Sequence, residues 1–259
     1  MNIDLTGQTA VVTGGSKGIG LAVVSRLTAS GAHVVTGAKG PSAELQALVK
    51  EKRVTFVEVD LADPAGPAQL VAMAGERIDI LVNNVGGAHA RPGGFLSIAD
   101  DDWTASLNLN LMAAVRATRA ALPAMLTAGS GVIIMTSSVN ARLPDPAVLD
   151  YSAAKAALAG FAKALAKEVG PHGVRVNMVS PGPVATDLWL GGDGVAATIS
   201  RATGSAARDI ESQAAAGSVT GRFSQPAEVA DLILYLVSDM AANITGSDFV
   251  IDGGLVPTL

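Results

Sequence analysis

Cysteine is missing from all 259 residues, so the chain can build no disulfide, no zinc–thiolate site and no thiol nucleophile. Only three histidines are present, His33, His89 and His172, and none stands at a metal-ligand spacing from another, so no metal site is expected. Charge is sparse as well. Asp, Glu, Lys and Arg make up 16% of the chain, and 18 basic residues against 23 acidic ones give a formal net charge of -5. That balance offers no electrostatic footprint for nucleic acid, and with 49% hydrophobic residues it is not the composition of a disordered acidic chain. Apolar runs never reach the ~18 uninterrupted residues of a membrane span, and residues 1–7 lack the basic flank and apolar run of a signal peptide. A cytoplasmic protein with no membrane partner is the expectation. Aromatics are the last scarcity, at 3%, with Tyr151 and Tyr235 the only tyrosines. The core must therefore come from small aliphatic side chains, and 29 glycines supply frequent turns and close approaches.

What is present is a rhythm. Short β-rich apolar runs at 9–13, 33–36, 54–59, 78–82, 132–136, 174–179 and 249–251 alternate with helical patterns at 19–30, 42–51, 100–128 and 150–169. Asp63-Pro64 reads as an N-cap and first-turn proline opening a further helix, and Pro123 is expected to interrupt the long one. Runs such as Val132-Ile133-Ile134-Met135 are nearly continuous in apolar residues, which suits parallel strands covered on both faces. The predicted fold is α/β, a doubly wound seven-stranded parallel sheet with helices on both faces. Length alone leaves one or two domains open at about 150 residues each. No linker or charge block divides the chain, so a single domain over 1–259 is expected, with one irregular stretch at 187–221.

Chemistry first appears at Thr13-Gly14-Gly15-Ser16-Lys17-Gly18-Ile19-Gly20, a glycine-rich turn between the first strand and a helix. A diphosphate needs such a place, because glycine permits close backbone approach and a helix start offers free N–H donors and partial positive charge. Further on come Asp60, Asn83-Asn84-Val85-Gly86, Asn110, Ser138, Tyr151 with Lys155, Pro181-Gly182 with Thr186, and Ile251-Asp252-Gly253-Gly254. In this order and spacing, over nearly the whole chain, the sequence resembles the short-chain dehydrogenase/reductase superfamily. Val85 departs from the alanine more usual in that family and removes no functional group. The resemblance implies a Rossmann fold, a nicotinamide dinucleotide cofactor and hydride transfer between a carbonyl and a secondary alcohol. It implies cofactor contacts from Gly14, Ser16, Lys17, Gly18, Ile19 and Gly20, from Asp60 and Leu61 at the adenine, and from Asn84 and Gly86 at the adenosine ribose. Tyr151, Lys155, Pro181, Gly182, Val184 and Thr186 would attend the nicotinamide end. Ser138, rather than its neighbour Ser137, would hydrogen-bond the substrate oxygen, and Asn110, rather than Asn108, would hold a water joining the lysine to solvent. A homo-oligomer, tetramer or dimer, is also implied.

The cofactor's phosphate state has its own signal. NAD calls for a carboxylate about twenty residues beyond the glycine turn, where this chain has Gly37-Ala38-Lys39-Gly40. With Lys39 there and Lys17 in the turn, NADP(H) is expected over NAD(H).

Tyr151 and Lys155 stand at i and i+4, on one helix face and about 5–6 Å apart at Cβ. A carbonyl that accepts hydride needs a proton, and an ordinary phenol, with a pKa of about 10, supplies one slowly at neutral pH. An ammonium about 4.5 Å away, at an effective dielectric of about 20, favours the phenolate by about 3.7 kcal/mol, so Tyr151 is expected to titrate towards neutrality.

For substrate, 187–221 reads as a helical lid offering Leu188, Trp189, Leu190, Val195 and Ile199, with Leu143, Pro144, Val148 and Leu149 extending the wall. Pro144 and Trp189 join Ser138 and Tyr151 as expected substrate contacts, and a small, largely apolar ketone or secondary alcohol follows. Arg91 and Arg142 lie on loops that leave a substrate carboxylate open. Two alternatives stand beside this reading. A 3-oxoacyl-carrier-protein reductase would want cations beside the mouth, and relatives of that type tend to carry basic residues before the fifth strand and after the tyrosine helix, where 127–130 and 170–172 supply neither lysine nor arginine. A dinucleotide sensor without turnover would not need Asn110, Ser138, Tyr151 and Lys155 together.

Overall fold

The computed structural model describes residues 3–51 and 53–258; the outermost positions of the expected domain, 1 and 259, fall outside them. Seven strands form one parallel sheet: β1 (Thr9–Thr13), β2 (His33–Ala38), β3 (Val54–Glu58), β4 (Ile80–Asn83), β5 (Gly131–Thr136), β6 (Val174–Pro181) and β7 (Asp248–Ile251). Their order is β3-β2-β1-β4-β5-β6-β7. Chain direction across the sheet reverses between β1 and β4, so the segments leaving these two strands diverge and open a crevice at their carboxyl ends.

The strand alternation feeds two cores. Val11, Val35, Leu81, Ile133 and Val176 face one side, against α3 (Gly66–Ala72), α5 (Ala113–Ala128) and α6 (Leu149–Val169). Ala10, Val12, Val34, Ile80 and Ile134 face the other, against α1 (Gly18–Ala29), α2 (Ala43–Lys50) and α10 (Pro226–Val237). The scarcity of aromatics is met with small residues: Ala113, Ala114, Ala117 and Ala121 are all buried on one side of α5, which brings that helix close to the sheet.

Two local expectations are corrected. Pro123 does not interrupt its helix; it lies on the exposed side of α5, beside exposed Arg119, so the carbonyl it deprives of an N–H partner is on the solvent side. The break comes earlier, where α4 (Asp100–Leu107) passes into a π-helical turn at Asn108–Met112 before α5 begins. Nor does Asp63-Pro64 open a helix. The Asp63 carboxylate accepts from Ala65 N at 2.7 Å in a tight turn, and α3 starts at Gly66 with Pro67 in its first turn.

Residues 187–216 are largely helical, as α7 (Asp187–Leu190), α8 (Val195–Thr203) and α9 (Ala207–Ala216). Among the described residues no helix is long and apolar enough to cross a membrane, and no three acidic or histidine side chains cluster as metal ligands.

Candidate active site

A cavity of about 1120 Å³ occupies the crevice, running from the glycine turn, past the ends of β4, β5 and β6, to the helices α7–α9. Its first end is backbone. Gly14 takes φ +73°, and Gly20 has no room for a side chain, since a Cβ there would stand 2.1 Å from the Gly14 oxygen and 2.6 Å from Asn84 Nδ2. No side chain caps the start of α1 and no acid stands in its first turn, so no residue of the helix itself competes for its N–H groups at the cavity. Asn84 Nδ2 donates to Thr13 O at 3.1 Å and Gly14 O at 3.2 Å, so its amide braces the turn from below. Val85 packs on the same glycine, 3.1 Å from a notional Gly14 Cβ. These residues fit a dinucleotide's diphosphate: an unblocked helix start and a cradle that any added side chain would fill.

Beyond the turn, the Ser16 hydroxyl donates to Gly40 O at 2.7 Å and ties Lys39's loop to the same rim as Lys17. Both lysines already have partners, Lys17 with Asp187 at 3.4 Å and Lys39 with Asp60 at 3.1 Å. Both pairs are exposed and weakly held. The Ala62 N–H, and then Lys39, hold the Asp60 carboxyl below its ordinary value. Lys39, Asp60 and Leu61 lie beyond the cavity's lining, and Ala38 is the part of that loop that reaches it.

The middle of the cavity brings together Ser138, Tyr151 and Lys155, from the ends of β5 and the first turns of α6. Lys155 Nζ is buried, donates to Thr136 O at 2.8 Å and lies 5.6 Å from the centre of the Tyr151 ring. Ser138 Oγ donates to Asn140 Oδ1 at 3.3 Å and accepts from Asn140 N at 3.2 Å, while Ser137 Oγ is buried without a partner. Asn110, in the π turn, accepts from Gly87 N at 3.0 Å and donates to Gly87 O at 2.9 Å. Its Oδ1 and Lys155 Nζ both abut Gly86, where a Cβ would stand 2.8 and 3.3 Å from them. Asn108 points elsewhere, to Ala62 O and Arg116.

The expected lowering of Tyr151 is overturned in direction. The residue keeps some surface open to the cavity, yet burial raises the phenol above its ordinary value, and the Ser138 hydroxyl only partly offsets this. The loss of water around the phenol outweighs the ammonium expected to lower it, and Lys155 is itself pushed down by burial from 10.5 to about 8. Linkage gives this a sign. Between pH 8 and 10.5 the unfolded chain holds more protons at this lysine than the folded one, so its contribution to stability rises with pH there, and the burden is complete below 8. Lys155→Met is therefore expected to melt a few degrees above the wild type at pH 7, with the gap closing by pH 10. Calorimetry at the two pH values checks this, and a pH-independent gap would rule out a buried ammonium.

Pro181, Gly182, Val184 and Thr186 line the cavity between β6 and the glycine turn, and Thr186 Cγ2 stands 3.2 Å from a notional Gly18 Cβ. Pro144 and Trp189 line it as well, Trp189 braced edge-on by Phe223 with ring centres 5.5 Å apart. Leu143, Val148, Leu188, Val195 and Ile199 share that wall; Leu149 and Leu190 do not. Gln213, inside the expected lid, and Leu255, directly after the Ile251–Gly254 motif, also line it, though the sequence reading singled out neither. The sequence reading also missed Asn140, whose only signal was an amide two residues after Ser138, and Ser152, whose hydroxyl donates to Val148 O at 3.0 Å and anchors the wall loop. Neither arginine lines the cavity where a substrate carboxylate would lie: Arg142 pairs with Asp248 at 3.0 Å, and Arg91 with Asp102 and Asp150 at 3.0 and 2.7 Å.

The chain is similar to known proteins along nearly its whole length. Residues 8–191 match the short chain dehydrogenase family. The chain is 36% identical over 262 residues to oxidoreductase UcpA of Escherichia coli (strain K12), covering 96% of this chain and 95% of that protein. It is 36% identical over 263 residues to a 3-oxoacyl-[acyl-carrier-protein] reductase of Synechocystis sp., covering 97% and 98%. Among solved structures, L-sorbose reductase from Gluconobacter frateurii, complexed with NADPH and L-sorbose, superposes with a TM-score of 0.90 at 34% identity over 100% of both chains.

Proposed function

The chain belongs to the short chain dehydrogenase family, and from that premise we propose that it uses NADP(H) to interconvert a small, largely apolar ketone and its secondary alcohol. It is an oxidoreductase of carbonyls and alcohols that works with a nicotinamide dinucleotide. The observation that carries the finer reading is the meeting, in one cavity, of an unblocked glycine turn with Ser138, Tyr151 and Lys155.

The dinucleotide, when bound, supplies or accepts the hydride. In the reducing direction Ser138 donates a hydrogen bond to the substrate oxygen, and Tyr151 gives that oxygen its phenolic proton as negative charge develops there. The upward shift of Tyr151 suits this direction, because the phenol stays protonated at neutral pH. Lys155, with a pKa of about 8, is mostly an ammonium at pH 7 and favours charge on the phenol oxygen as the proton leaves. Asn110 holds the Gly86–Gly87 backbone beside that ammonium. Asp60, Leu61, Asn84 and Gly86 attend the adenosine half in this reading, and Pro181, Gly182, Val184 and Thr186 the nicotinamide. Helices α7–α9 act as the lid of a single domain, with Trp189 and Pro144 against substrate. The same reading carries a homo-oligomeric assembly.

The preference for NADP(H) rests on Lys17 and Lys39 sharing one rim with no carboxylate at the end of β2. Asp60 would release Lys39 to a 2′-phosphate, a stronger partner. The relatives include 3-oxoacyl-[acyl-carrier-protein] reductases, and the lack of lysine and arginine at 127–130 and 170–172 does not count against that reading, because these segments lead into β5 and β6 at the end of the sheet opposite the cavity.

One set of assays tests the whole reading: oxidation of NADPH and of NADH with acetophenone, cyclohexanone and L-sorbose, by wild type and Lys39→Ala. NADPH is expected to bind the wild type more tightly, and Lys39→Ala to lose about tenfold of that advantage. Equal affinities in the wild type would overturn the NADP(H) assignment. Tight cofactor binding with no ketone turned over would favour a sensor instead.

A further inference from the structure

The Arg91 side chain is 16% exposed and faces no part of the cavity, yet it is the most heavily bonded cation near the site. Its Nη2 and Nε reach the two oxygens of Asp150 at 2.7 and 3.3 Å, a forked contact on a carboxylate that is itself 2% exposed. Its Nη1 reaches Asp102 at 3.0 Å, and its backbone N–H donates to Ala147 O at 2.7 Å. These partners lie on three different segments. Asp150 immediately precedes Tyr151 in the first turn of α6. Asp102 belongs to the first turn of α4, which leads into the π turn holding Asn110. Ala147 sits in the wall loop between Pro144 and Val148.

We infer that Arg91 is a positioning residue, whose forked bond to Asp150 fixes the first turn of α6 and so aims the Tyr151 hydroxyl at the substrate oxygen. The inference rests on Tyr151 being the proton donor. The geometry distinguishes it from general stabilisation. A planar guanidinium holding both carboxylate oxygens fixes the carboxylate's angle as well as its charge, and its remaining nitrogen fixes the distance to α4. An ammonium can neutralise Asp150 but cannot hold both oxygens and Asp102 in one plane. Because catalysis falls steeply when a reacting group is misplaced by a fraction of an ångström, a loosened first turn should appear in kcat before it appears in binding.

The test compares wild type, Arg91→Lys, Asp150→Asn and Tyr151→Phe, using NADPH and whichever of acetophenone, cyclohexanone and L-sorbose the wild type reduces fastest. Arg91→Lys is expected to keep NADPH affinity and ketone KM within about twofold, to lose at least about tenfold in kcat, and to show a larger solvent deuterium isotope effect on kcat as proton transfer becomes slower. Asp150→Asn, which keeps the shape and removes the charge, should behave alike and answers the question if the lysine variant does not fold. A kcat within twofold of wild type in the folded variants overturns the inference. So does a loss matched by a lower titrated fraction of active sites with the isotope effect unchanged. Rates like wild type from Tyr151→Phe would sink the proton-donor reading itself, whatever Arg91 does.

Discussion

Tyr151→Phe is expected to lose about 10²- to 10⁴-fold in turnover while binding NADPH as the wild type does. The substitution removes one oxygen and leaves the ring, so the packing of α6 and the 5.6 Å placement of Lys155 against the ring are kept. What goes is the proton that the developing oxyanion needs. No other acid stands ready: the Ser138 hydroxyl, an alkanol, is a far weaker acid than a phenol, and Lys155 is engaged with Thr136 O. Stopped-flow reduction of the best ketone, paired with fluorescence titration of NADPH, separates the two quantities. Cofactor binding lost together with turnover would mean that the ring, and not the hydroxyl, matters. With only Tyr151 and Tyr235 in the chain, ultraviolet titration of Tyr235→Phe isolates the phenol, and an ionisation above the ordinary range is expected.

Gly20→Ala is expected to weaken dinucleotide binding by about a hundredfold or more and to destabilise the fold by about 1–3 kcal/mol. The added methyl would meet the Gly14 oxygen at 2.1 Å, a backbone atom that cannot rotate aside, and the Asn84 amide at 2.6 Å. Relief requires the first turn of α1 to retreat from β1, which moves the N–H groups that face a diphosphate. Gly40→Ala is the matched control. A Cβ there meets nothing within 4 Å, so the variant should melt and bind like the wild type. Calorimetry and equilibrium dialysis with NADPH read both effects, and a Gly20→Ala protein with unchanged affinity would remove the turn from the cofactor site.

How far the sequence carries depends on whether a property is local. The seven strands and the doubly wound sheet were legible because apolar runs and helix periodicity are written within a few residues of each other. The convergence of Ser138, Tyr151 and Lys155 was legible because the end of β5 and the start of α6 are close neighbours in the chain. Properties that depend on a distant partner were not. Lys39 meets Asp60 and Lys17 meets Asp187, pairings that the intervening loops decide. Arg91 and Arg142 looked available until the carboxylates of Asp150 and Asp248 were seen beside them. Tyr151 was assigned a direction from one charge at one distance, and burial, a property of the whole surrounding shell, reversed it. Pro123 shows the same limit in the fold, since whether a proline breaks a helix depends on which side meets solvent.

The π turn at Asn108–Met112 carries a further consequence, one of counting. A wide turn of this kind amounts to one residue inserted into an α-helix, and successive α-helical residues are spaced by about 100° of rotation. Deleting a single residue from 108–112 would give a more regular helix and still disrupt the site. It would rotate α4 about its own axis relative to α5, carrying Asp102 off Arg91 or Asn110 off Gly87. Substitutions along this stretch can be absorbed one at a time, but its length cannot change. Insertions and deletions in descendants of this chain should therefore gather elsewhere, with the spacing from Asp102 to Asn110 kept as a fixed interval.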